Sequence, residues 1–251
     1  ARKLLYVLFP PQTNFRHMLY TEGGIGMFKY LRNMIAHNFI DKESLNLWYA
    51  HWIINIAGFR GHIDQRGSIY LNENVAASIL SLKTFVYEML EQPNFDPLLP
   101  YLEFRAKALG FRDLPTEERL FYTHIGCLLR LYNIEEGKRL QASLQRIPVE
   151  NIRAIKRYFL QGLHDPNQNT HLYVPALLGN ALEVSNGNLE QVIEHMLPVY
   201  DAVLQQAARQ NIHKMSFNKL SASKNLKQLL NINPDDPKSF KILPDGTVLL
   251  G

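Results

Sequence analysis

The stretch Asp41-Lys42-Glu43-Ser44-Leu45-Asn46-Leu47-Trp48-Tyr49-Ala50-His51-Trp52-Ile53-Ile54-Asn55-Ile56-Ala57-Gly58 decides the fold class. Leu45, Trp48, Trp52, Ile53 and Ile56 recur at three- and four-residue intervals, the period of one helix face. Asp41 stands where a capping side chain is wanted, and Gly58 and Gly61 stop the pattern. Trp48 and Tyr49 project about 100° apart, so one face cannot bury every large side chain. The helix is therefore either central, with two buried sides, or offers one side to a partner.

The same grammar extends in both directions. Upstream, Phe28, Leu31 and Ile35 keep a helical period behind Gly23-Gly24-Ile25-Gly26. Downstream, Asn72 caps a helix to about Gln92 whose Val75, Ile79, Leu82, Val86 and Leu90 form an apolar stripe, and Pro93 ends it. Asp96 and Pro97 start another helix that Gly110 closes, and Thr116 opens the next with Glu117 and Glu118 in its first turn. Asn133 with Glu136 has capping-box spacing, and Pro148 suits the start of a helix through Leu163. Asn188 with Gln191 caps a long helix in which Pro198 predicts a kink. The loop-like stretches are 165–170, 185–188 and 231–238, and no fixed repeat period is present. Phe240 to Leu243 and Thr247 to Leu250 flank Pro244-Asp245-Gly246 and read as a small β-hairpin. The expectation is a mainly α, multi-helix globular domain of eight to nine helices with a C-terminal β-hairpin.

Composition narrows the class further. The 251 residues, 46% hydrophobic and 20% charged, suffice for one large domain or two small ones and exclude disorder and collagen. Residues 205–251 hold seven Lys and Arg against three Asp and Glu, so the first 204 residues, with 20 of each, are neutral. This divides the chain into a helical body, 1–204, and a basic C-terminal segment, 205–251, expected to pack on it. The basic residues lack interleaved aromatics, so nucleic acid is not the expected partner, although contact with an anionic surface fits. The single Cys127 rules out an intramolecular disulfide and points to a reducing, cytoplasmic compartment. No apolar run is long enough to span a bilayer. The chain opens without Met and reads as a piece of a larger protein.

Three groups of residues suggest chemistry. In the segment 57–71, Arg60, Gly61, Arg66 and Gly67 combine guanidinium donors with glycines that admit close approach, as an anion or a protein partner requires, while His62 and Asp64 are candidates to exchange a proton. The glycines at 23, 24 and 26 precede a helix, where free amides attract anions. His124 and Cys127 share a helix face, which makes His124 a candidate base, although the surrounding leucines favour a buried thiol. His37, His51, His171, His195 and His213 show no paired ligand spacing.

His124, the pair His164-Asp165, and Asp201 resemble, in order, the ligand set of the HD family of metal phosphohydrolases. That resemblance implies a divalent cation on these four residues acting on a phosphate substrate, with Pro166 as a departure from the helix expected there. The segment from His51 to Leu71 and the run Glu117-Glu118-Arg119-Leu120-Phe121-Tyr122 resemble helical domains of effectors that intracellular bacteria deliver through type IV secretion. This second resemblance implies a host-directed module, with the host cytosol as its setting. Two functions follow as expectations. The first is a protein-protein interaction domain with no cofactor, using an aromatic and Arg-bearing surface formed by the first third and the 60–66 segment. The alternative is a metal-dependent phosphohydrolase or another enzyme acting on a phosphate-containing substrate.

Overall fold

The computed structural model describes residues 14–58, 71–233 and 239–251. Among the described residues the chain is mainly helical, with eleven α-helices and one small antiparallel sheet. The helices are α1 (Phe15–Leu19), α2 (Lys29–Ala36), α3 (Lys42–Ala57), α4 (Glu73–Glu91), α5 (Leu98–Ala108) and α6 (Thr116–Leu128). They continue with α7 (Ile134–Leu144), α8 (Arg153–Gly162), α9 (Val174–Val184), α10 (Leu189–Arg209) and α11 (Ser223–Leu229). Strands β1 (Phe240–Ile242) and β2 (Val248–Leu250) close the chain.

The polar residues that start these helices do so by satisfying amides that have no partner inside the helix. Asp41 accepts a hydrogen bond from the Ser44 amide, Asn72 from Val75 and Asn188 from Gln191, and Asn133 with Glu136 forms a complete capping box. The Asp96 carboxylate receives the Leu98 amide at 2.9 Å, so α5 begins one residue after Pro97. Gly110, at φ +79°, takes the left-handed turn that ends the α5 segment. Helix α10 continues through Pro198 as one helix. The helices number two to three more than the eight to nine expected; α1 is a five-residue helix capped by Asn14, while α9 and α11 carry weak start signals. Helix α9 follows Tyr173, which is left-handed and does not cap it with its own side chain, and α11 likewise has no cap from the residue before it.

Two apolar cores are stacked along the sequence. The first gathers Phe15 to Leu102 with Leu120 and Leu163; the second runs from Ala106 to Val248. The basic C-terminal segment is integral to the second core, because Met215, Phe217, Leu226, Phe240 and Val248 are buried in it. The proposed division at residue 204 falls inside α10. The hairpin pairs Phe240 with Leu250 and Ile242 with Val248, and single parallel bridges tie Ser216 to both Leu172 and Thr247.

Helix α5 belongs to both cores, and the side chain at their junction is Arg105. It is fully buried, donates to the Tyr101 hydroxyl at 3.1 Å and to the Leu131 carbonyl, and lies over the Tyr132 ring at 4.4 Å. Tyr101 in turn donates to the Leu19 carbonyl at 2.8 Å. No carboxylate pairs with this charge among the described residues. The guanidinium is stabilised instead by oxygen dipoles and a ring face, which leaves little freedom to substitute it.

Close backbone approach fixes the first core against α8. A methyl group on Gly24 would overlap the Gly162 carbonyl, and one on Gly26 would come within 2.9 Å of the Pro166 carbonyl oxygen. The glycines at 24 and 26 thus serve docking of the 162–168 backbone.

Two stability predictions follow from these contacts. Arg105→Ala is expected to lower unfolding free energy by about 3 kcal/mol or more and to broaden the urea transition, since it removes two hydrogen bonds and leaves a void where the cores meet. An unchanged midpoint and slope would contradict that role. Gly24→Ala is expected to cost about 1–3 kcal/mol through overpacking, read as a lowered melting temperature.

Candidate functional site

Arg60, Gly61, His62, Asp64, Arg66 and Gly67 lie outside the described residues. Among the described residues, no three His, Cys, Asp or Glu side chains are grouped to hold a metal ion. The set His124, His164, Asp165 and Asp201 is accordingly not gathered into a centre, and each member has its own local role.

His124 is 1% exposed and stacks on Phe159 with ring centroids 4.8 Å apart and planes 8° from parallel. Neither ring nitrogen has a hydrogen-bond partner among the described residues. Burial lowers its pKa to about 4 against an opposing pull from the Thr21 backbone. The ring is thus a neutral core plate in α6. Burial also raises the Cys127 thiol above its ordinary range, the opposite of an activated nucleophile. Asp201 is 1% exposed, and its two oxygens accept from the Ile155 amide at 2.9 Å and the Gln205 side chain at 2.8 Å. It therefore caps the start of α8 from the neighbouring α10. His164 and Asp165 are exposed beyond the end of α8, where Asp165 accepts the Asn167 amide in a tight turn. Asp165 also lines a cavity of about 460 Å³, with Arg157, Gln161, Asn169 and His213 among its polar walls. At the base of that cavity, His171 is buried, with Nδ1 2.8 Å from the Tyr200 hydroxyl and its ring 3.8 Å from Tyr158; burial lowers its pKa to about 3.

Two features remain that bear on binding. The first is α3. Leu45, Trp48, Tyr49 and Ile56 are buried, with Trp48 and Tyr49 packed edge-on to Phe15 at 5.5 and 5.2 Å. The opposite face presents Leu47, Ala50, His51 and Ile54, and Ile54 is 71% exposed. Tyr87 of α4 donates to Asn46, and Lys83 lies over the Tyr49 ring at 5.7 Å, so α3 and α4 run antiparallel. Seven residues onward from Asn46 and seven back from Tyr87, each about 10.5 Å along its helix, Ile53 and Leu80 come level. Leu80 is 57% exposed. The pair thus carries an open apolar surface at the end where residue 58 leaves α3.

The second feature, which sequence reasoning missed, surrounds Glu22. This carboxylate is only 3% exposed; it accepts the Val174 amide at 3.0 Å and lies 3.2 Å from His17 Nε2. Burial raises its pKa to about 7 against the pull of the Tyr173 and Val174 amides and of Arg130. Burial, helped by Arg16, lowers that of His17 to about 4. The two groups are thus driven in opposite directions, a pattern that marks acid-base sites. Left-handed backbone also collects here. Six described residues other than glycine have positive φ, and Asn38, Asn186 and Asn211 are of the type that tolerates it. The other three are Thr21 at 48°, Arg130 at 60° and Tyr173 at 70°. Thr21 adjoins Glu22, and Arg130 and Tyr173 line the same small cavity with it. Such conformations cost about 1–2 kcal/mol per residue and persist only where surrounding structure enforces them. The one sequence signal was Arg130 itself, standing one residue past the Leu129 cap of α6, where Gly or Asn is usual.

The titration signs give a further expectation. Buried neutral His124 contributes stability that is present above its unfolded pKa near 6.5 and is lost as pH falls toward about 4. Glu22 acts oppositely, since its raised pKa makes folding less favourable as pH rises from 4.5 through about 7. His124→Leu is therefore expected to remove up to about 3 kcal/mol of acid sensitivity and to move acid unfolding to lower pH, followed by circular dichroism. An acid transition identical to that of the native chain would show that His124 does not titrate as a buried ring. Comparison with protein-family models, curated proteins and solved structures finds no match for this chain.

Proposed function

We propose that this chain is a helical protein-protein interaction domain whose docking surface is the outer side of α3 together with Leu80 of α4. The observation that carries the reading is the exposed row Leu47, Ala50 and Ile54 on a helix whose other side is core. Exposed apolar side chains opposite a helix's core face are the kind of surface that a partner covers. No described helix is long and apolar enough to cross a membrane, so a bilayer-spanning role does not account for the apolar face. Arg60 and Arg66 follow Ala57 closely in the sequence, and Arg is among the residue types enriched in binding hot spots. The partner chemistry that suits this surface is an amphipathic helix with acidic flanks. The resemblance to type IV-secreted effector domains extends the proposal to a host protein as the partner.

A photo-crosslinking amino acid at Ile54 is expected to capture one discrete adduct in cells, while the same group at Lys138 captures none. Ile54→Asp with Leu80→Asp is expected to abolish the complex at an unchanged or raised melting temperature, because both positions are exposed. Equal adducts from both positions, or a complex indifferent to these changes, would sink the reading.

The cavity beside Asp165 favours a second reading, an enzyme acting on a phosphate-containing substrate. Arg157 and His213 supply cationic or hydrogen-bonding walls to a volume suited to a small molecule. Turnover of a phosphate ester that disappears in Arg157→Ala would support it, and a panel left uncleaved by the native chain would remove it.

A further inference from the structure

The cavity around Glu22 is small, about 120 Å³, which is the space of about four waters or one compact ion. Arg130 stands on one of its walls. The guanidinium lies 5.0 Å from the Tyr20 ring centroid and against Gly179, its Nε is buried with no hydrogen-bond partner, and no carboxylate pairs with it among the described residues. The nearby acid, Glu22, is engaged elsewhere, by the Val174 amide and His17. A cation and a buried acid therefore share one cavity without forming an ion pair. Asn14, Arg16 and Tyr173 complete the polar lining. Left-handed backbone at Thr21, Arg130 and Tyr173 holds this arrangement in place, and enforced strain of this kind clusters at ligand sites.

We propose that this cavity binds a small oxyanion, a carboxylate or a phosphoryl-type group, on the Arg130 guanidinium, and that Glu22 takes up a proton as the ion enters. An ionised Glu22 would repel the ligand across the cavity; a neutral Glu22 removes the repulsion. Burial makes that proton available close to neutrality, since Glu22 titrates at about 7. The other titratable or charged groups facing Glu22 or sharing its cavity include Arg16 and His17 from α1, Arg130 after α6, Tyr158 from α8 and Tyr200 from α10. His17 is neutral above about pH 4, burial pushes both tyrosines upward, and Arg130 stays charged. Between about pH 6 and about 8.5, Glu22 is thus the member of this group that changes charge.

The test is calorimetric titration of the whole chain with sodium sulfate and, separately, sodium acetate, two ions whose own charge is constant across that pH range. Saturable binding of sulfate assigns a phosphoryl-type ligand, and of acetate a carboxylate. Affinity is expected to fall up to about tenfold per pH unit above 7, with proton uptake visible as a dependence on buffer ionisation heat. Glu22→Gln should keep binding and lose its pH dependence. Arg130→Asn, which keeps a residue suited to positive φ, should weaken binding at least tenfold without lowering the melting temperature. The His17 ring resonance provides an independent readout in the native chain, shifting as the ion saturates. Absence of saturable binding of both ions at millimolar concentration overturns the proposal. So does binding unaffected by Arg130→Asn, or pH dependence that persists in Glu22→Gln.

Discussion

Arg105 is the constraint on which the rest of the structure depends. A guanidinium cannot shed its charge in a protein, and burying it without a carboxylate leaves its neutralisation to the Leu131 carbonyl, the Tyr101 hydroxyl and the Tyr132 face. Those partners come from α5 and from the chain just beyond α6, and Tyr101 passes the connection to Leu19 at the end of α1. The two apolar cores are therefore joined by a directional polar link, where dispersion contacts alone would tolerate sliding. This geometry sets the path of the chain after Leu128 and, with it, the unusual backbone of Arg130.

That path explains why strain accumulates around Glu22. Helix α1 ends at Leu19, whose carbonyl is held by Tyr101, and the chain must then turn sharply for Gly24 to touch Gly162. Thr21 absorbs the turn, Glu22 is driven inward to cap the start of α9, and Tyr173 bends to present the Val174 amide. A buried acid, a neutral imidazole and an unpaired guanidinium are left around one cavity. Their energetic cost is spread over three elements, which makes the arrangement expensive to build and resistant to local relaxation.

The α3 surface has a different origin. The helix needs Trp48 and Tyr49 to wedge against Phe15, and this orientation leaves Leu47 and Ile54 on the far side by helical geometry alone. Nothing in local packing requires those two positions to be apolar. Their chemistry is therefore free to reflect an external partner, and for that reason they carry the functional reading more than the better-packed aromatics do.

Helix existence was largely legible along the chain, because caps such as Asp41, Asn72, Asn133 and Asn188 act through amides two or three residues away and their energetics are local. The hairpin around Asp245-Gly246 was legible for the same reason. Helix α9 was not, since its start is capped by Glu22 from 152 residues away. The pattern of His124, His164-Asp165 and Asp201 looked like a ligand set only because order along a chain says nothing of distance. In the fold, His124 became a stacked core ring and Asp201 a cap for a different helix. The sequence by itself determined the mainly helical class, the helix starts and the terminal hairpin, all of which depend on short-range hydrogen bonds and periodicity. Only the tertiary structure decided which charges were buried, which acid met which amide, and where strain was stored, because burial and electrostatics depend on neighbours brought from distant parts of the chain.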